Sequence, residues 1–182
     1  TASVRGSFMV QDHDKRFGVI TEEDRHESYF AETAIKGGVG RTDWVAGIAF
    51  QTEVFNSETF PAFDYQYDVP GVFGQVEHDL TDDFSLSASA RLDDHSEYGT
   101  QFSPRISMLY KPGEWTIRSS YGEGFFAPTP FVEDIEAAGL SRLEPLSNLR
   151  EEQTQTASID VGYNFDALKA NISVFGSNVD DV

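Results

Sequence analysis

Two short clusters in this 182-residue chain place carboxylates beside a histidine, Asp12-His13-Asp14 and Asp93-Asp94-His95. Acid–histidine pairs of this kind can activate water as a general base, and the same groups can serve as oxygen and imidazole ligands for a metal ion. A third segment, Gly122-Glu123-Gly124-Phe125-Phe126-Ala127, spells the G-x-G-x-x-A of a dinucleotide-binding turn. Arg91, Arg105 and Arg118 recur along neighbouring segments, each with a guanidinium able to hold an anion. The chain has no cysteine, so thiolate zinc sites, disulfide frameworks and a cysteine nucleophile fall away. With 13 Lys+Arg against 31 Asp+Glu the net charge is −18, which repels phosphate backbones and excludes nucleic acid and anionic lipid as partners of a basic patch.

Context weakens the sharpest of these readings. A dinucleotide site needs a helix straight after its glycines, yet Pro128 and Pro130 follow at once. The glycines therefore read as pliant backbone at the end of a strand. A metal held by Asp93, Asp94 and His95 would need ligands from a second strand, and nothing in the spacing sets Asp12-His13-Asp14 opposite them. Acidic residues crowd every connection of so negative a chain. No catalytic residue, no metal ligand and no cofactor is assigned.

The elements that position these residues follow from a period of two. Phe84, Leu86, Ala88, Ala90 and Leu92 interleave with Ser85, Ser87, Ser89, Arg91 and Asp93, which is the pattern of an extended strand with one apolar and one polar face. It returns at Ile106, Met108 and Tyr110, at Trp115, Ile117 and Tyr121, and at Ile159, Val161 and Tyr163. Strands are predicted at about 2–11, 26–37, 43–56, 69–80, 84–95, 101–110, 115–124, 151–164 and 168–179, with Phe17 to Thr21 in a loop. Tight turns at 81–83, 111–114 and 165–167 alternate with long connections at about 57–68, 94–101 and 125–150. The longest loop holds the one helical pattern, Thr129 to Gly139, with a Thr cap, Pro at the first helical position and Gly at the end.

Apolar runs of a few residues are far short of the roughly 18 needed by a membrane-spanning helix. A two-faced sheet fits either a soluble sandwich or a barrel wall in lipid. Strands of about ten residues match a tilted bilayer crossing. Aromatics such as Tyr110 and Trp115 bracket a tight turn, where an interfacial girdle sits, and short turns at one end with long loops at the other are typical of outer-membrane barrels. The polar face, with Arg91, Arg105, Arg118, Glu53, Glu77, Asp93, Asp160 and Lys169, then lines a lumen.

Phe102-Ser103-Pro104-Arg105-Ile106-Ser107-Met108-Leu109-Tyr110-Lys111-Pro112, followed by Trp115-Thr116-Ile117-Arg118-Ser119-Ser120-Tyr121-Gly122-Glu123-Gly124-Phe125-Phe126-Ala127-Pro128-Thr129, resembles the barrel signature of TonB-dependent outer-membrane receptors. Arg91-Leu92-Asp93 is similar to that family's R-x-D strand end, and Asn148-Leu149-Arg150-Glu151-Glu152 to its NLKPE strand entry, with Arg-Glu in place of Lys-Pro. The likeness is dense from about 72 to 175 and thin before 43. It implies an all-β, antiparallel up-and-down meander forming part of a large, plugged transmembrane barrel in the bacterial outer membrane. Such a barrel has about 22 strands and about 440 residues, so residues 1–182 are expected to be a partial barrel of about nine strands, without the plug domain or the remaining strands. The absence of a signal peptide before Thr1 and the ending at Asp180-Asp181-Val182, with no terminal aromatic, agree with that expectation.

The resemblance implies TonB-energised uptake of a scarce nutrient such as an iron–siderophore, haem or cobalamin, with no enzymatic activity. Partners would be the TonB complex through the plug, outer-membrane lipid and the imported ligand; an isolated fragment is expected to self-associate. Asp93, His95, Tyr98, Phe125, Phe126 and Arg142, at the loop end, are the candidate ligand contacts, and Arg91, Arg105 and Arg118 the candidate lumen and plug contacts. Two other readings stay open: a small outer-membrane barrel with a protease-like rim, and a soluble β-sandwich binding module.

Overall fold

The computed structural model describes residues 1–131, 139–166 and 168–180. Nine strands, β1 (Ala2–Phe17), β2 (Ile20–Val39), β3 (Thr42–Ser57), β4 (Tyr65–Asp79), β5 (Phe84–His95), β6 (Gly99–Tyr110), β7 (Trp115–Phe126), β8 (Glu152–Phe165) and β9 (Leu168–Asp180), form one sheet in sequence order. Every neighbouring pair is antiparallel. No second sheet packs on it among the described residues, which removes the sandwich reading.

Register turns the sequence alternation into two surfaces. Val4, Thr33, Ile48, Val72, Leu92 and Phe102 pair successively across β1–β6, and the adjacent row on the opposite face is Arg5, Glu32, Ala49, Gly71, Asp93 and Gln101. On the first face the large apolar side chains stand exposed, Val4 at 79%, Ile48 at 62% and Phe102 at 59%, which in water would be a large unfavourable area. That face carries its aromatics at both margins. Phe84 packs edge-on against Tyr110, and Trp115 tilts on Tyr163, beside the tight turns. At the other margin Tyr29 and Tyr121 point their hydroxyls to Glu27 and Glu123, so rings lie in the apolar band and oxygens leave it.

Charges on the outer face begin only beyond these tyrosines, and there the structure departs from the sequence reading. Residues 12–25 are no loop: β1 runs to Phe17, β2 starts at Ile20, and Gly18-Val19 turn between them. Alternation of apolar and polar residues is absent there because neither face touches lipid. Polar side chains set across the ladder hold the hairpin instead: Arg25 pairs with Asp12, His13 hydrogen-bonds Asp24, and Lys15 stands opposite Glu22 and 3.6 Å from Asp24. The expected loop at 94–101 also shrinks to a turn at 96–98, since β5 and β6 continue to His95 and from Gly99. The connections at 58–64 and 127–151 remain long. The first carries a 3₁₀ turn, Pro61–Phe63, and the second another, Leu140–Arg142. The predicted helix at Thr129–Gly139 falls mostly on 132–138, outside the described residues.

The face assignment predicts unequal costs for arginine. Ala88→Arg, at the centre of the outer stripe of β5, should destabilise the full-length barrel by about 2–4 kcal/mol near the bilayer midplane, whereas Ser87→Arg on the inner face should cost far less. Refolding titrations into lipid vesicles measure the difference.

Candidate functional site

Alternation sorts the two acid–histidine clusters before any chemistry is considered. In Asp12-His13-Asp14 the acids lie on the outer face and the histidine on the inner one, where its Nδ1 is 2.6 Å from Asp24. Asp12 instead pairs with Arg25 at 3.2 Å. In Asp93-Asp94-His95, Asp93 and His95 share the inner face, while Asp94 accepts a hydrogen bond from Thr100 on the outer one. The two clusters line separate cavities. Among the described residues no group of three or more His, Asp and Glu is placed to hold a metal ion.

Asp93 and His95 belong to a cavity of about 370 Å³ at the loop end of the inner face, walled by Phe30, Gln51, Glu53, Tyr67, Val69, Arg91, Phe125 and Ala127. The register of β2–β5 brings most of these together: Phe30 stands opposite Gln51, Gln51 opposite Val69, and Glu53 opposite Tyr67. Arg91 Nε donates to both carboxylate oxygens of Asp93, at 2.8 and 2.6 Å. This pair lies over Gly71, where a Cβ would sit 2.1 Å from Asp93 Oδ1, so the R-x-D strand end is a clasp folded across a neighbouring glycine. Glu53 Oε1 receives the Tyr65 hydroxyl at 2.7 Å and faces His26 Nε2 at 3.0 Å.

His95, 5% exposed, is held on three sides. Its ring lies 4.8 Å from that of Tyr67 and 5.0 Å from that of Tyr98. The backbone N–H groups of Glu97 and Tyr98 donate to its Nδ1 at 3.2 and 3.3 Å. Burial pulls this imidazole below its ordinary value, against the opposing fields of Glu97 and Glu53. Tyr67 and Tyr98 both donate to the carbonyl of Pro128, at 3.3 and 2.6 Å, and so tie the cavity wall to the start of the long loop.

The far end of that loop is tied elsewhere. Glu22, 1% exposed, accepts the N–H groups of Leu140 and Ser141 at 2.8 and 2.9 Å, one on each carboxylate oxygen. Leu140 is buried with Phe55 and Phe63, and Phe60, Tyr65, Phe131 and Leu143 close around them. Gly139 has φ 74, and a Cβ there would meet the Phe17 ring at 2.8 Å, so both conformation and space call for glycine. Burial pushes the Glu22 carboxyl up, but the N–H and hydroxyl of Ser141, the Leu140 N–H and the charge of Lys15 together bring it below its ordinary value.

Of the six candidate ligand contacts, Asp93, His95 and Phe125 meet in the cavity and Tyr98 backs it. Phe126 and Arg142 are exposed and do not line it. The three arginines all lie on the inner face: Arg91 is clasped by Asp93, Arg118 is 3.5 Å from Asp160, and Arg105 reaches the Ser120 hydroxyl, at 3.4 Å, and no carboxylate among the described residues. Sequence reasoning missed Tyr67 and Glu22 because both fell in stretches read as loop; Gln51 and Glu53 carried a usable signal, their place on the polar side of an alternating strand.

The sequence matches the family described as TonB dependent receptor-like, beta-barrel over residues 3–182. The chain belongs to this family. It is a wall segment of a bacterial outer-membrane receptor barrel, and this family membership sets aside the protease-like rim. The vitamin B12 transporter BtuB of Vibrio cholerae is 28% identical over 98 residues, which are 53% of this chain and 15% of that protein. In fold the chain is similar to the siderophore receptor PirA of Pseudomonas aeruginosa, with a TM-score of 0.76 at 17% identity over 98% of this chain and 39% of that one. The FrpB iron transporter of Neisseria meningitidis gives 0.72 at 17% identity, over 89% of this chain and 29% of that one. The chain thus spans under two fifths of the length of these relatives.

The carboxylate clamp carries a pH signature. Because its carboxyl lies below the ordinary 4.5, Glu22 contributes fully above that value and is lost only as pH falls through the lowered one. Hydrogen exchange at Leu140 and Ser141 in the full-length receptor, corrected for intrinsic rates, should stay slow at pH 4.5 and rise below it. Glu22→Ala should raise it at neutral pH by an amount equivalent to about 1–3 kcal/mol, the cost of an unsatisfied buried donor.

Proposed function

We propose that this chain supplies wall and loops to a receptor that imports a scarce nutrient across the outer membrane with energy from the TonB complex. The observation that carries the reading is the cavity at the loop end of the inner face. A two-faced sheet alone makes only a wall, but here the loop end gathers aromatic, carboxylate, amide and imidazole groups around an open volume beside the start of the long loop. Ligand is captured there together with the plug. Pulling on the plug then opens a path along the polar inner face, while the outer face stays in lipid. The relatives are named for vitamin B12, siderophore and iron transport, so a metal chelate is the ligand class.

Cells expressing the full-length receptor should accumulate radiolabelled cyanocobalamin or a ferric siderophore. A protonophore or deletion of the TonB protein should reduce accumulation to background. Uptake insensitive to both would overturn this reading.

The remaining strands of the receptor complete the barrel at β1 and β9, each of which has a single neighbour in this chain. The isolated chain therefore exposes two unpaired edges and an apolar face, and should self-associate. Sedimentation of the detergent-free chain should show oligomers; a strictly monomeric species would count against it.

A further inference from the structure

We infer that His95 is a ligand contact, its Nε2–H donating to a carbonyl or amide oxygen, and that the cavity takes an uncharged, amide-bearing chelate in preference to a polyanionic one. The inference rests on the import reading above and specifies its ligand.

The donor follows from the tautomer. With two backbone N–H groups aimed at Nδ1, the proton of a neutral imidazole resides on Nε2. No group among the described residues accepts it. The ring is wedged between Tyr67 and Tyr98 and cannot turn without breaking both Nδ1 contacts. Since the residue is 95% buried and lines the cavity, the little surface it keeps is directed there. Protonating Nδ1 would forfeit the same two contacts, so the group acts as a neutral donor.

The charges around it set the ligand class. Facing His95 are Tyr67 from β4, Glu53 from β3, Arg91 and Asp93 from its own strand, and Glu97 and Tyr98 from the turn. The one guanidinium of the cavity is already engaged by Asp93, and Glu53 adds a carboxylate. A polyanion would meet the Glu53 carboxylate, a guanidinium and carboxylate that already neutralise each other, and no unpaired cation among the residues lining the cavity, and would lose its hydration without compensation. An uncharged ligand meets an imidazole donor, the Gln51 amide and the faces of Phe30, Tyr67 and Phe125. A site that hydrogen-bonds its ligand through a buried polar group discriminates strongly against ligands lacking the complement.

The test uses outer-membrane vesicles carrying the full-length receptor and three ligands: cyanocobalamin and ferrichrome, both uncharged and rich in amides, and the polyanionic ferric enterobactin. One of the uncharged pair should bind more tightly than ferric enterobactin. His95→Phe should weaken it about three- to tenfold, the loss of one hydrogen bond, and His95→Gln should recover part of that. Heat-modifiable migration of each variant reports a folded barrel. A second measurement needs no substitution: in receptor labelled with 15N-histidine, the bound ligand should shift the Nε2 resonance of His95, read by NMR. Tighter binding of ferric enterobactin, binding of none of the three, or an unmoved His95 Nε2 resonance would overturn the inference. TonB-dependent accumulation of ferric enterobactin would do so while leaving the import reading standing.

Discussion

Every feature of this chain depends on one constraint: in hydrocarbon a backbone N–H or C=O has no water to turn to, and each must be met by a neighbouring strand. Nine antiparallel strands in sequence order satisfy it with the shortest connections available. The same ladder obliges side chains to alternate, so a chain that faces lipid on one side must present its other side to whatever fills the barrel. Polar residues on the inner face are the consequence of an outer face that cannot hold them. The row Arg5, Glu32, Ala49, Gly71, Asp93 and Gln101 lies one residue away from Val4, Thr33, Ile48, Val72, Leu92 and Phe102, and a slip of one position would exchange them.

Where lipid ends, the rule changes and so does the legibility of the sequence. Between the aromatic margins, alternation alone located all nine strands and put Arg91, Arg105 and Arg118 on the inner face. Beyond Tyr29 it fails, because the β1–β2 hairpin has solvent or other loops on both sides and needs no apolar face. The signal that survives there is cross-strand charge, Asp12 with Arg25 and Lys15 with Glu22, and it becomes readable only once the turn at Gly18-Val19 fixes the register. Tyr67 was hidden for a related reason: Phe63, Tyr65, Tyr67 and Val69 alternate with Asp64, Gln66 and Asp68, but with the aromatics on the inner face, opposite in parity to Val72 and Val76 farther along β4. His95 and Asp93 were legible as chemistry. Their separation from Asp94 was a matter of parity along β5.

Glu22 shows why the remaining part could not be read at all. Its partners, Leu140 and Ser141, are more than a hundred positions away and contribute two backbone N–H groups, which carry no residue signature, and a single serine hydroxyl. Such a contact is specified by the space around it. Gly139 alone fits between Phe17 and Glu22, and Leu140 fills the hollow left by Phe55 and Phe63. A buried carboxylate is costly unless its oxygens are met; two backbone donors and Lys15 meet it, and the loop is fixed against the hairpin as a result.

Cavity and loop are thereby one structure. Tyr67 walls the cavity and holds Pro128; Tyr98 supports His95 and holds the same carbonyl; Phe125 and Ala127 line the cavity as the chain leaves β7 for the loop. Phe55 and Tyr65, stacked 5.8 Å apart, continue the aromatic series toward Leu140 and the far anchor at Glu22. A group entering between Tyr67 and Phe125 presses on side chains that also support the loop start. The loop cannot shift at Pro128 without unseating the phenols on which the His95 ring rests. Cavity wall and loop anchorage therefore draw on the same few contacts, the phenols of Tyr67 and Tyr98 on the Pro128 carbonyl.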